Sequence, residues 1–395
     1  MTNLRTEIPI VHPQKIRPIP SATIELAQKA RILKTEGRDI IELAGGDPDF
    51  LPDTHVTDAI SDALKNGQTK YTHPRGIPEL RQAIASKLKR ENGIIADPDK
   101  EIIVTAGGKQ AIAVTLMALL DNREEVLIPG PSWVSYDNMT LIATGVPKTV
   151  PASPSNKFKI TPDDLEKYTT SKTKALIFNN PQNPTGQVYS KEEIHKICDW
   201  CHNRGVYLIS DEVYEHIIFD NKKHYSPASS EKFKKFIITI NAVSKTYVMT
   251  GLRLGWLHAP ERIIKKIDPY HQHIITCAPS IIQWGSVAAL DGPSDGIIKR
   301  GKTYTSRRDL VVKLLSKSKS IKPLNPEGTF YLFIDITKTG LSSLEFCSTL
   351  LDDGSVALCP GSAFSHAGEG WVRMLFARDE LTLTDACNRI LKVFG

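Results

Sequence analysis

From Asp53 onward the chain alternates two textures. Stretches with apolar residues three or four positions apart, such as Leu80, Ile84 and Leu88 within 77–92, predict amphipathic helices, as does 54–66. Between the helical stretches lie short runs that are apolar almost throughout, at 101–105, 125–128, 174–178, 206–210 and 236–240. A strand buried on both faces loses the polar alternation of a half-exposed one, so these runs read as strands of a covered, mostly parallel sheet. Strands separated by helices predict an α/β fold. Past about residue 290 the pattern changes. A long helical stretch to Lys317 leads into strands at 329–335, 356–359 and 372–376, mixed with helices at 342–352 and 379–393. The expectation is a large domain over 51–290 and a smaller α+β domain built from 1–50 and 291–395. A length of 395 residues is too great for one small core, which agrees with two domains.

Upstream, Pro9, Pro13, Pro18 and Pro20 predict an extended arm, followed by a helix from Ser21 to about Gly37. Ile40–Ala44 reads as a strand entering the turn-rich loop Gly45–Phe50, and such loops often face a site. The composition, 41% hydrophobic and 24% charged, is that of an ordinary globular protein. A formal charge of +6 is spread without a basic block, so neither nucleic acid nor a membrane surface is an expected partner, whereas anionic metabolites are. No apolar leader-like region or run of transmembrane length occurs. Six scattered cysteines suit a reducing cytoplasm. Cys198-Asp-Trp-Cys201-His202 has the spacing of a haem-attachment motif, but Ile194, Ile197 and Cys201 share a helix face there, so the segment reads as core and no metal is expected.

In a parallel α/β sheet ligands bind beyond the carboxyl ends of the strands, so the residues after each apolar run carry the chemical signal. After 101–105 come Gly107 and Gly108 at the start of a helix. Free N–H groups and the helix dipole suit an anion there, and a tight turn with positive φ would use the same glycines. After 174–178 comes N-N-P-Q-N-P-T-G (179–186), a rigid turn presenting the Asn183 amide. After 206–210 comes Asp211, with Tyr214 one helical turn on. A carboxylate leaving so apolar a strand either caps a helix or meets a cation. After 236–240 comes Lys245 between Ser244 and Thr246, then Arg253 and Gly255 in a second strand-like run. A lysine at the mouth of a sheet can hold an aldehyde cofactor as a Schiff base, with an arginine for its anionic tail. Alone, such a lysine reads more simply as a surface residue.

Together and in order, G-G-K-Q-A (107–111), P-S-W-V-S-Y (131–136), N-P-T-G (183–186), D-E-V-Y (211–214), S-K…R-L-G (244–255) and G-W-V-R (370–373) resemble the class I aminotransferases, pyridoxal-phosphate enzymes of fold type I. The match runs from A-G-G-D-P-D-F (44–50) to the end and is similar to the bacterial aspartate aminotransferase branch, which includes bifunctional aspartate/prephenate enzymes. The resemblance implies pyridoxal 5′-phosphate as cofactor and a ping-pong amino transfer. It makes Lys245 the Schiff-base lysine and proton shuttle, Asp211 the partner of the pyridine nitrogen, and Asn183 and Tyr214 the donors to the ring's 3′-oxygen. Trp133 would stack on the ring. Gly108, the Lys109 backbone, Ser244 and Arg253 would hold the phosphate, joined by Tyr71 from a second subunit, which implies a homodimer. Ala242 departs from the family's usual Gly or Ser and leaves Ser244 to supply the hydroxyl.

The same resemblance makes Arg373 the clamp on the substrate α-carboxylate, a planar group that a guanidinium fork matches. Gly46, Thr23, Trp133 and Asn183 join it in the substrate pocket, and Lys109 takes the place of the lysine that reaches a distal carboxylate. L-Aspartate with 2-oxoglutarate is therefore the expected substrate pair. Prephenate, aromatic or alanine transamination, a β-lyase or decarboxylase on the same lysine, and a pyridoxal-binding regulator are the other readings. A regulator of that kind carries an N-terminal DNA-binding module, and only about twenty residues precede the first expected helix.

Overall fold

The computed structural model of the protein describes residues 28, 30 and 32–395. The proline-rich arm, the expected helix start at Ser21 and Thr23 lie outside the described residues. After β1 (Ile41–Glu42) come α1 (Thr54–Lys65) and α2 (Pro78–Lys87), the latter continuing as a π-helical turn over Leu88–Asn92. The central elements are β2 (Ile102–Thr105), α3 (Gly108–Leu119), β3 (Glu125–Gly130), α4 (Ser135–Ile142), β4 (Val146–Pro151), α5 (Pro162–Tyr168), β5 (Thr173–Asn179), α6 (Lys191–Arg204) and β6 (Tyr207–Asp211). Next are β7 (Ile237–Ala242), the single turn α7 (Val243–Thr246), β8 (Gly255–His258), α8 (Glu261–Ile275), α9 (Ser280–Asp291) and the long α10 (Asp295–Leu315).

Seven strands form one sheet in the order β2-β8-β7-β6-β5-β3-β4. All run parallel except β8, which is antiparallel to both β2 and β7. Neighbouring residues point to opposite faces, and both faces are dry: Leu208 joins the core cluster of α2, α6 and α9, while Ile209 joins that of α3, α4 and α8. That two-sided burial is why the runs lack polar alternation. β4 was not among the expected strands. Pro147 and Pro151 break its strand pattern, and they are tolerated because β4 is the sheet's edge, bonded among the described strands to β3 alone. On one face of the sheet, α6 starts at a capping box in which Ser190 and Glu193 exchange side-chain and backbone bonds, and it buries Ile194, Ile197, Cys198, Trp200 and Cys201. The Cys-x-x-Cys-His segment is thus helix core, and burial pushes the Cys198 thiol up to about 12.

The remaining strands, β9 (Lys322–Leu324), β10 (Tyr331–Asp335), β11 (Val356–Ala357), β12 (Cys359–Pro360) and β13 (Trp371–Leu375), alternate with α11 (Ser343–Gly354) and lead to α12 (Glu380–Phe394). β12, β13, β10 and β9 make an antiparallel sheet, and β1 pairs parallel with β11 through Ile41↔Val356. The segment before the large sheet therefore packs against the C-terminal elements, and its loop Gly45–Phe50 is delivered to the strand ends of the large sheet. Among the described residues no helix is long and apolar enough to cross a membrane.

Candidate active site

A cavity of about 640 Å³ lies beyond the carboxyl ends of β2, β5, β6 and β7. β7 ends at Ala242, and the single turn α7 carries Lys245 into the cavity, where its Nζ donates to the Gly46 carbonyl at 2.8 Å and lies 5.7 Å above the Phe330 ring. On one side of Lys245 the walls are built for an anion. Gly107 sits at φ 86°, a conformation costly for any other residue, and Gly108, which opens α3, lines the cavity. Arg253 was expected inside a strand. It lies instead just before β8 in the left-handed region, φ 54° and ψ 60°. That bend folds its guanidinium over the glycine turn, so a Cβ on Gly107 would stand 2.6 Å from Nη2. Its partners are the carbonyls of Thr250 and Ala106, at 2.7 and 3.4 Å, which leaves its charge without a carboxylate among the described residues. Gly255 allows the close approach, since a Cβ there would meet the Gly108 nitrogen at 2.7 Å. Ser244 lines the same end, and so do Ala242 and Thr250.

At the end of β6, Asp211 is buried. Tyr136 donates to its Oδ2 at 2.6 Å, while the Val213 N–H reaches Oδ1 only at 3.4 Å. Burial pushes the carboxyl up to about 6, although the Tyr136 hydroxyl and the Lys245 charge act the other way. A carboxyl whose folded-state pKa exceeds its ordinary 3.8 binds its proton more tightly when folded, so stability is lost as pH rises from about 3.8 through 6. The loss amounts to about 3 kcal/mol. We expect Asp211→Asn, which keeps an acceptor for Tyr136 but no charge, to gain stability on the wild type as pH rises through that window. Urea unfolding of the two ligand-free proteins at pH 5 and 8 measures this, and a pH-independent difference would refute it.

Two further cations line the cavity, Arg373 and Lys109. Arg373, on β13, is buried, and its Nη2 donates to the Ala44 and Gly45 carbonyls at 2.7 and 3.0 Å. Nη1 donates to Asn183 Oδ1 at 3.1 Å, and the guanidinium stacks over Tyr331 and Phe364, 4.1 and 4.8 Å from the ring centroids. These contacts are neutral. A buried guanidinium held by carbonyls and rings, with cavity in front of it, is poised for a carboxylate. Asn183 is fixed in turn by the bond from its N–H to Asn179 Oδ1, 2.8 Å, and the turn closes at Gly186, φ 70°. Lys109 lies on the first turn of α3 with its Nζ 4.9 Å above the Trp133 ring. Burial, then the nearby Arg253 charge, lowers its pKa.

Gly46, Gly108, Lys109, Trp133, Asn183, Asp211, Tyr214, Ser244, Lys245, Arg253 and Arg373 thus come together at one cavity, from segments spread across the chain. Tyr71 does not join them. It is 86% exposed and borders a separate surface hollow with Ile275 and Cys277. Sequence reasoning passed over Tyr136, Tyr331 and Gln28, which also line the cavity. The Tyr331 hydroxyl accepts from Tyr214 at 3.4 Å, and a Cβ on Gly46 would come within 2.8 Å of it.

Behind the site is a buried polar network. Glu215 pairs with Lys87 and accepts from Asn92 and Asn241, each at 2.6 Å, while Glu212 accepts from Ser210, Ser226 and His224. Burial opposes ionisation of Glu215, but Lys87, His216 and His224 hold it well below the usual carboxylate range. Glu212 and Glu215 with His224, and Glu215 with Glu91 and His216, bring ligand atoms within 4.8 Å of one another, yet these atoms are taken up by the bonds just described and by His216 to Glu91 at 3.1 Å. The network anchors Asn241, next to the strand end that leads to Lys245.

This arrangement, a lysine between an anion cup, a buried carboxylate and a buried arginine, defines a group-transfer site for an anionic amino compound. The chain belongs to the class I and II aminotransferases, whose family model matches residues 38–390. It is similar to the aspartate aminotransferase of Pyrococcus abyssi, 44% identical over 90% of this chain and 92% of the relative. The aromatic-amino-acid aminotransferase 2 of Thermococcus litoralis is 40% identical over 99% of this chain and 98% of that one. Among solved structures, the aspartate aminotransferase from Thermus thermophilus with maleate superposes with a TM-score of 0.91 at 36% identity, covering 95% of this chain and 97% of the other. The protein is an aminotransferase, acting on amino acids and 2-oxo acids.

Proposed function

We propose that the amino donor is L-aspartate, the acceptor 2-oxoglutarate, and the cofactor pyridoxal 5′-phosphate. Four cations meet at the cavity without carboxylate partners among the described residues, and Lys245 is given to the aldehyde and Arg253 to the phosphate. The observation that carries the donor is the remaining two, Arg373 buried and Lys109 over Trp133, which match the two carboxylates of a dicarboxylic acid. The cavity fits the cofactor by the chemistry of its donors: an amine at Lys245, an anion cup of Gly108, Ser244 and Arg253, and at Asp211 a buried carboxylate short of a cation. When bound, the cofactor supplies an aldehyde for an amine and a cationic ring that accepts the electron pair left at the substrate α-carbon.

The side chains then have distinct tasks. Lys245 would anchor the aldehyde and would move the α-proton. Asp211 would keep the ring nitrogen protonated, and Asn183 and Tyr214 would donate to the ring's 3′-oxygen. Trp133 would cover the ring. Arg373 orients the α-carboxylate, and Lys109 receives the distal one. The exposure of Tyr71 supports a homodimer in which this tyrosine completes the partner's phosphate cup. A cytoplasmic enzyme with a large domain at 51–290 and a smaller one from the flanking segments completes the proposal.

The test is the visible spectrum of the pure protein. We expect a yellow band that moves to shorter wavelength with L-aspartate, returns with 2-oxoglutarate, and responds far more slowly to alanine or phenylalanine. In the same assay Lys109→Ala raises the aspartate KM by roughly 10- to 100-fold and that of a monocarboxylic donor by little, as loss of one charged hydrogen bond implies. Faster turnover of phenylalanine than of aspartate, or equal effects of the variant on both donors, would overturn the choice of aspartate.

A further inference from the structure

We propose that Tyr136 is a positioning residue for the cofactor: its hydroxyl pins one oxygen of Asp211 so that the other is presented to the cationic ring. The proposal rests on the pyridoxal-phosphate reading above. Tyr136 lies in the first turn of α4, its ring in the core cluster between α4 and the sheet. The Tyr136 N–H donates to the Trp133 carbonyl at 3.0 Å, and Thr140 Oγ1 donates to the Tyr136 carbonyl at 2.9 Å, so the backbone that carries the ring is fixed on both sides. The hydroxyl reaches across to β6 and donates to Asp211 Oδ2 at 2.6 Å.

The two carboxylate oxygens are therefore unequal. Oδ2 has a short, strong donor, whereas Oδ1 has only the Val213 N–H at 3.4 Å among the described residues. A carboxylate is otherwise free to rotate about its Cβ–Cγ bond. One strong bond from a rigid residue stops that rotation and leaves Oδ1 with unused acceptor capacity on a residue that lines the cavity. A tyrosine that only filled core would not need its hydroxyl on a buried carboxylate at this cavity wall, since burying an ionised partner is the costlier arrangement. The same ring meets Trp133 edge-on, centroids 5.4 Å apart at 88°, so the residue also fixes the tilt of the indole expected to cover the cofactor.

Tyr136→Phe removes the hydroxyl and keeps the ring. The experiment titrates pyridoxal phosphate into four apoproteins: wild type, Tyr136→Phe, Asp211→Asn and the double variant. We expect Tyr136→Phe to weaken binding about 10- to 100-fold in the wild-type background, the range for a hydrogen bond to a charged group, and less than about threefold when Asp211 is already Asn. Equal losses in both backgrounds would show that the residue acts through packing alone, and no loss in either would show that the hydroxyl is idle. Both results overturn the proposal. A wild type that does not bind pyridoxal phosphate would instead refute the cofactor reading on which it rests. Urea unfolding of Tyr136→Phe, expected to match the wild type within the effect of one hydroxyl, checks that the variant is folded. Tyr136→His offers a second variant that restores a donor and should recover part of the affinity.

Discussion

Lys245→Ala is expected to lower turnover by roughly 10⁴-fold or more, because on the proposed function it removes the nucleophile and the proton-moving base together. The side chain reaches the cavity from a single helical turn, and its hydrogen bond goes to the Gly46 carbonyl, not to a carboxylate. Little of the fold depends on it, so the variant should unfold at a urea concentration close to that of the wild type. Lys245→Arg separates charge from chemistry. A guanidinium can bond to the same carbonyl and carries the same charge, but it does not give up its proton near neutral pH and cannot anchor an aldehyde. Its turnover should be as low as that of the alanine variant. Single-turnover measurements with L-aspartate distinguish the cases, and activity in either variant within tenfold of the wild type would remove Lys245 from its central place.

The second large effect is expected at Arg373. Arg373→Leu takes a buried cation away from where the α-carboxylate is proposed to bind, leaving a substrate charge unpaired, a loss of roughly 10²- to 10³-fold in kcat/KM. Arg373→Lys keeps the charge but cannot reproduce the fork that spans Asn183 and the Ala44 and Gly45 carbonyls. We expect it to recover only part of the loss. The α-carboxylate is common to all amino acids, so the penalty should be equal for aspartate and for phenylalanine, whereas that of Lys109→Ala falls on dicarboxylic donors. Affinity for pyridoxal phosphate should stay within a few-fold of the wild type. Steady-state kinetics with both donors test this, and a penalty confined to aspartate would move Arg373 to the distal end of the pocket.

Much of this arrangement was legible from apolar runs and the few residues directly after each of them. β5, β6 and β7 sit within two residues of their expected positions because strands dry on both faces leave a signal that needs no tertiary information. Residues after their C-terminal ends line the cavity, because that is where a parallel sheet opens. The part that stayed hidden was decided by tertiary placement alone. Pro147 and Pro151 disguise β4, since only its place at the sheet edge makes them harmless. Arg253 looked like strand and proved to be a left-handed bend, for no local pattern marks a non-glycine residue there. Tyr136 and Tyr331, the latter opening the apolar run Tyr331–Asp335, carry no local mark of a site, and most of each ring is core. Only the finished fold shows that their hydroxyls turn toward the cavity. The Lys87–Glu215 pair joins residues 128 positions apart, a separation at which single-sequence patterns carry no pairing information.

The antiparallel insertion of β8 also bears on how the chain is made. β2 stands at the sheet's margin, and its only neighbour among the described strands is β8, with Ile102 paired to His258. During synthesis the segment Ile-Ile-Val-Thr must wait for roughly 150 further residues, about 8–30 s at ordinary elongation rates, before that neighbour leaves the ribosome. Through that interval it is an apolar strand with open backbone groups, the kind of edge that recruits other nascent chains. Because the Gly107–Gly108 turn comes directly after β2 and Gly255 seals it, the anion cup is completed at the same moment the vulnerable edge is covered. The cover of that edge and the closure of the glycine turn thus both come from one late-made strand.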